Sequence, residues 1–131
     1  MTFENKKILV VEEVEDEAGL RTALHEKLSD EGFSVLEARD GEEGLEVALR
    51  NHPDLILLDI IMPHTNGLKM LKKLREDTWG RTAKVIILTN LGNSGSIANV
   101  MDSETFDYII KSDANMTYIV QKIKDKLRGT K

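Results

Sequence analysis

Five short runs rich in Ile, Val and Leu recur along the chain, with helix-period patterns between them, and this alternation limits the fold more than any other feature. The runs are Ile8-Leu9-Val10-Val11, Phe33-Ser34-Val35-Leu36, Leu55-Ile56-Leu57-Leu58, Val85-Ile86-Ile87-Leu88 and Tyr108-Ile109-Ile110. Strands alternating with amphipathic helices form βα units and hence a parallel sheet. The first, third and fourth runs are apolar on both faces, as strands covered on each side by helices must be; the second alternates more and belongs at an edge. Leu20, Ala23, Leu24 and Leu28 share one helical face, as do Leu45, Ala48 and Leu49, and Leu68, Leu71 and Leu74. Ile97, Val100 and Met101 make a shorter stripe, and Met116, Ile119, Val120, Ile123 and Leu127 a long last one; all read as core faces. Gly32 follows the first helix, Asn51-His52-Pro53 ends the second, and Gly80 lies beyond the third. Right-handed crossovers then leave a doubly wound α/β sheet of five parallel strands with five helices.

The 131 residues suit one domain with one core, expected to span about 6–128, and no output domain is expected after the last helix. Lys plus Arg number 18 against 23 Asp plus Glu, a net charge of −5. That balance argues against a sequence-independent grip on nucleic acid or on an anionic membrane, so neither is expected as a partner. The absence of cysteine excludes disulfides, thiolate catalysis and cysteine-based zinc or iron–sulfur sites, and fits a reducing cytoplasm. The first seven residues lack the apolar stretch of a signal peptide, and the greasiest segment, residues 55–62, is broken by Asp59 and is far short of a membrane span.

In a doubly wound sheet the carboxyl ends of the strands share one rim, where ligands bind. The first run leads into Glu12-Glu13, the third into Asp59, the fourth into Thr89 and the fifth into Lys111. Two carboxylate positions, a hydroxyl and an ammonium would thus converge from segments distant in sequence. Clustered carboxylates repel and call for a cation, and an open oxygen-rich site with few ligands suits Mg²⁺. A carboxylate beside that metal can attack phosphorus to give an acyl phosphate, while the ammonium and hydroxyl stabilise the phosphoryl oxygens. Asp59 is the best-placed nucleophile.

At these residues the chain resembles a response regulator receiver domain, the phosphoacceptor half of two-component signalling, and the resemblance covers essentially its whole length. Leu55-Ile56-Leu57-Leu58-Asp59-Ile60-Ile61-Met62-Pro63, followed by Asn66-Gly67, is similar to the segment around that family's phosphoacceptor aspartate. The positions of Thr89 and Lys111 match its switch hydroxyl and phosphate-contacting lysine, Tyr108 stands where it often carries a rotameric aromatic, and Asp40-Gly41-Glu42-Glu43-Gly44 is also family-like. The resemblance implies a flavodoxin-like fold with strand order 2-1-3-4-5. It also implies phosphorylation of Asp59 with Mg²⁺ by a partner histidine kinase or phosphotransfer protein, without turnover as an enzyme. Mg²⁺ would be held by Asp59, the acidic pair Glu12 and Glu13, and the backbone carbonyl of Ile61. Thr89 and Tyr108 would form the switch. Residues 94–127 would present the surface for a downstream target or a second copy in a homodimer.

The chain also departs from the family. Glu12-Glu13 replaces the usual pair, which commonly contains aspartate, and the first loop looks longer than usual, so Glu15-Asp16 is a rival pair. Ser112 stands where the family has a proline after the lysine; a cis bond without proline costs about 3 kcal/mol, so a trans bond is expected. Glu104-Thr105 replaces a common Gly-Ala before the last strand. Two other readings follow: a pseudo-receiver that keeps the fold without being phosphorylated, and an aspartyl phosphatase, which usually needs a second Asp where Ile61 stands.

Gly92-Asn93-Ser94-Gly95-Ser96 has the composition of a phosphate loop but lacks the Gly-Lys-Ser/Thr ending, and reads as a loop whose Asn93 or Ser94 caps a helix. His25, His52 and His64 have no ligand spacing and read as surface or packing residues. Trp79 reads as a loop anchor, and the Asn115-Met116-Thr117 glycosylation pattern as chance.

Overall fold

The computed structural model describes residues 5–11, 20–59, 67–89, 107–110 and 115–128. Five parallel strands, β1 (Lys7–Val11), β2 (Ser34–Ala38), β3 (Leu55–Asp59), β4 (Val85–Thr89) and β5 (Asp107–Ile110), form one sheet in the order β2-β1-β3-β4-β5. Three helices follow the strands in sequence, α1 (Leu20–Asp30), α2 (Gly41–Asn51) and α3 (Gly67–Glu76), and a fourth closes the described chain, the C-terminal helix (Met116–Leu127). The helix expected around residues 97–103 lies outside the described residues.

Strand side chains alternate between the two faces, and the core divides accordingly. Leu9, Val11, Ile56, Leu58, Val85 and Ile87 pack with Ala48 of α2 and with Met70, Leu71 and Leu74 of α3. Ile8, Val10, Leu55, Leu57, Ile86 and Leu88 pack with Leu24 and Leu28 of α1 and with Ile119, Val120 and Ile123 of the C-terminal helix. Both faces of β1, β3 and β4 are therefore dry, which is why these runs are apolar at every position. Each fully buried Leu or Ile contributes about 1.5–3 kcal/mol relative to exposure. Strand β2 lies at an edge, with Ser34 exposed and only Ala38 fully buried.

The helix ends follow local chemistry. Gly32, at φ 95°, donates to the Ser29 carbonyl while Phe33 donates to that of Leu28, a Schellman closure of α1. Asp40 caps α2, its Oδ1 accepting from the Glu43 N–H at 2.8 Å, while Glu43 Oε1 accepts from the Arg39 N–H at 2.7 Å. His52, left-handed at φ 48°, ends α2, and Pro53 follows. Asn115, the asparagine of the sequon-like triplet, caps the C-terminal helix through the Tyr118 N–H.

One stripe is not as the sequence suggested. Leu49 is 37% exposed rather than core. The fully buried residues of α2 are Gly41, Gly44 and Ala48, with Leu45 and Val47 packed beside them; at Gly44 a Cβ would lie 2.9 Å from Val11 of β1 and 3.1 Å from Met70 of α3, and Leu49 is carried to the flank. Met70 of α3, missed by the sequence reading, is 2% exposed and fills the space opposite Gly44.

Candidate functional site

Asp59 is the last residue of β3 and Thr89 the last of β4, so two of the four polar strand-end positions stand on one rim; the other two, Glu12-Glu13 and Lys111, follow in sequence Val11 and Ile110, the last residues of β1 and β5. The register is close. Leu58 pairs with Val11, Asp59 with Leu88, and Thr89 with Ile110. Val11 is followed in sequence by Glu12-Glu13, and Ile110 by Lys111. The central strand β3 thus ends in a carboxylate residue between one strand that leads into an acidic run and another that ends in a hydroxyl residue. This is the sheet position where strand order reverses, with β1 and β2 to one side and β4 and β5 to the other.

Tyr108 lies in β5, in register with Ile87. Glu12, Glu13, Glu15, Asp16, Ile61, Lys111 and Ser112 lie outside the described residues, as do residues 94–106 of the expected output surface. Among the described residues no group of three or more His, Asp or Glu side chains gathers as a metal site. The residues that end β3 and follow β1 in sequence, Asp59 and Glu12-Glu13, are carboxylate types, whose hard oxygens are the ligand chemistry that Mg²⁺ takes.

The described histidines are used in packing. His25 of α1 pairs its Nδ1 with Glu37 Oε2 of β2. His52 stacks on Trp79, ring centroids 4.4 Å apart and planes 10° from parallel. Trp79 anchors the turn after α3 against the α2–α3 side of the core. That turn is further held by Arg75, whose Nη1 donates to the carbonyls of Gly80 at 2.7 Å and Ala83 at 2.8 Å. On the opposite sheet rim from Asp59, Lys124 Nζ lies 2.5 Å from Glu31 Oε1, and this hydrogen bond and charge hold the Glu31 carboxyl below the usual glutamate value.

The pattern described by the family of response regulator receiver domains matches residues 8–124, nearly the whole chain. The chain belongs to that family. Among the curated relatives of this receiver domain, the transcriptional regulatory protein ResD of Bacillus subtilis is 34% identical over 122 residues, covering 93% of this chain and 48% of its own length. The regulator DltR of Streptococcus agalactiae is 41% identical over 98 residues, covering 75% of this chain and 43% of its own. The receiver therefore spans less than half the length of these relatives. Because they are named transcriptional regulators, a net charge of −5 does not carry the expectation that nucleic acid is excluded as a partner.

Among solved structures, a CheY-like receiver domain protein from Methanospirillum hungatei superposes with a TM-score of 0.83 at 26% identity, covering 96% of each chain. The receiver domain of a sensor histidine kinase from Pseudomonas aeruginosa superposes with a TM-score of 0.80 at 25% identity, covering 96% of this chain and 99% of that one; its crystal structure has a magnesium ion coordinated in the active-site cleft. The fold of this receiver is flavodoxin-like, with a parallel sheet. Among the described residues no helix is long and apolar enough to cross a membrane.

Proposed function

We propose that this receiver is a phosphoacceptor, in which Asp59 takes a phosphoryl group from the phosphohistidine of a partner histidine kinase or phosphotransfer protein. The observation that carries this reading is the place of Asp59 at the end of central strand β3, beside the strand that leads into Glu12-Glu13 and the strand that ends in Thr89. A carboxylate oxygen of Asp59 attacks phosphorus, the phosphorus–nitrogen bond breaks as the new phosphorus–oxygen bond forms, and the imidazole leaves to take a proton. Lys111 and Thr89 stabilise the phosphoryl oxygens. Mg²⁺, held by Asp59, the Glu12-Glu13 pair and the backbone carbonyl of Ile61, would offset the carboxylate charge and orient those oxygens; Asp16 is the rival ligand. The chemistry is self-catalysed transfer and autodephosphorylation, without turnover of an external substrate.

The signal leaves through residues 94–127, with a fifth helix between β4 and β5, toward a downstream protein or a second copy in the cytoplasm. Thr89 leads into this segment and Lys111 falls within it, so a charge arriving at Asp59 acts there first.

Intact mass after incubation with acetyl phosphate tests the reading. A gain of one phosphoryl group that requires Mg²⁺ supports it. No gain makes the chain a pseudo-receiver that works as an interaction module. Steady release of inorganic phosphate at enzyme-like turnover would make it an aspartyl phosphatase.

A further inference from the structure

From the charge pattern of α2 and α3 we infer that these two helices form a self-complementary surface on which a second copy of this chain docks. They lie side by side on one sheet face, where a Cβ on Gly44 would lie 3.1 Å from Met70 Sδ. α2 joins β2 to β3 and α3 joins β3 to β4, so both run the same way, back from the carboxyl rim of a parallel sheet. They also begin at matching points, since Gly41 stands as far before Gly44 as Gly67 does before Met70. Stepping equally along both helices from that contact sets Ala48 level with Leu74, both fully buried. On the outward face it sets Glu43 level with Lys69, Glu46 with Lys72 and Arg50 with Glu76. The charges are opposite in each of these three pairs.

Within one chain the pattern is left unbalanced. α2 carries three carboxylates and one cation, α3 four cations and one carboxylate. Glu46 bonds Arg50 along its own helix at 2.8 Å, and Glu43 reaches Arg39 at 3.8 Å. Lys69, Lys72 and Lys73 are exposed, and among the described residues no ion pair reaches them. Lys69 has the other two at the i+3 and i+4 spacing, at which like charges repel. A two-fold axis parallel to the helices, lying between two copies, sets α2 of each against α3 of the other at the same level. Lys69 and Lys72 then meet the partner's Glu43 and the partner's Glu46, and Arg50 meets the partner's Glu76. A carboxylate has two oxygens, so Glu46 can hold Arg50 and the partner's Lys72 together. The same axis turns both Asp59 rims one way and leaves uncovered the C-terminal helix, which packs on the other sheet face. Exposed ion pairs are individually weak and are screened by salt, so the dimer is reversible and salt-sensitive. It does not depend on phosphorylation of Asp59.

Sedimentation velocity on the unphosphorylated protein tests this, across micromolar to millimolar concentrations at low and at high salt. The parent should form a dimer at low salt whose dissociation constant rises about tenfold or more at high salt. Lys72→Glu and Glu46→Lys should each raise the low-salt constant about tenfold or more, because the axis repeats each new like-charge contact. Mixing the two variants should restore the dimer to near the parent level, since both contacts of the mixed pair again join opposite charges. Both substitutions place good helix formers at exposed helix positions, so folding is expected, and restoration on mixing would itself show it. If either variant does not fold, Arg50→Glu mixed with Glu76→Arg makes the same exchange one turn along. A parent that stays monomeric at low salt and millimolar concentration overturns the inference. So does a dimer that either variant leaves unchanged, which would put the interface on another face, and so does a mixture no more dimeric than its components.

Discussion

Thr89, the last residue of β4, is the register partner of Ile110, the last residue of β5. Thr89, the proposed switch residue, thus ends one strand, and the adjacent strand leads in sequence into Lys111, while Asp59 is in register with Leu88, the residue before Thr89. Strand β4 adjoins β3 and β5 lies one strand further out, so a phosphoryl group on Asp59 would be one strand spacing from the carrier of Thr89 and two from the strand that leads into Lys111. Lys111→Ala should slow phosphorylation by acetyl phosphate on the order of a hundredfold, as removal of one preorganised charge-stabilising group does. Beryllofluoride should change the Tyr108 ring resonances in the parent and not in Thr89→Ala. A Tyr108 ring that ignores beryllofluoride in the parent would make it a fixed strand residue.

The acidic run that follows Val11 offers two rival candidates for the proposed metal pair, and single neutralisations distinguish them. Glu13→Gln should weaken Mg²⁺ binding about tenfold or more, while Asp16→Asn should leave it near the parent value. The reverse ranking would assign the site to Glu15-Asp16. Asp59→Asn should abolish the phosphoryl mass gain altogether; equal phosphorylation of that variant would remove Asp59 as the acceptor.

The strands were legible because a strand buried on both faces leaves no polar position, so Leu55 to Leu58 and Val85 to Leu88 announce themselves without any partner being known. The strand-end residues were legible for the same reason: Asp59 and Thr89 are where each apolar run stops. Helix faces were less so. Leu49 carries the apolar character that a stripe predicts, but the close approach of α2 to β1 falls at Gly44, and closeness between elements is not written in one element's periodicity. Pairings such as His25 with Glu37 and His52 with Trp79 join residues from different elements and become visible only when the chain is folded. The choice of acidic pair was not legible because both pairs offer the same oxygen chemistry.

Gly80 reads in sequence as simple punctuation, yet its requirement is steric. A Cβ there would lie 2.1 Å from the carbonyl oxygen of Leu74, a backbone atom, and 2.9 Å from Leu74 Cδ1. Arg75 pins the same turn by bonding the Gly80 and Ala83 carbonyls, so the turn has little room to shift. Gly80→Ala should cost about 3 kcal/mol, the upper end for overpacking, measured as the change in urea unfolding at constant slope. Trp79, the one tryptophan of the chain, supplies the fluorescence signal. An unchanged midpoint would mean that the turn relaxes freely.

Lys124 and Glu31 tie the C-terminal helix to the end of α1, and their coupling predicts how stability changes in acid. Glu31 is held below its ordinary value of 4.5 chiefly by the hydrogen bond from Lys124, then by that residue's charge and more weakly by Lys27. A carboxyl depressed in the folded state stabilises above its unfolded value, and the stabilisation is lost as pH falls through the lower folded value. Lys124→Ala should therefore be less stable than the parent near neutrality, and the difference should shrink as pH drops below the ordinary glutamate range. In a Glu31→Gln background the same lysine substitution should show no such pH dependence, because the titrating partner is gone. Both side chains are partly open to solvent, so raising the salt concentration should reduce the neutral-pH difference as well. Thermal unfolding of the four proteins across the acid range checks this, and a parent-to-variant gap that widens on acidification would show that Lys124 acts through its packed stem rather than through Glu31.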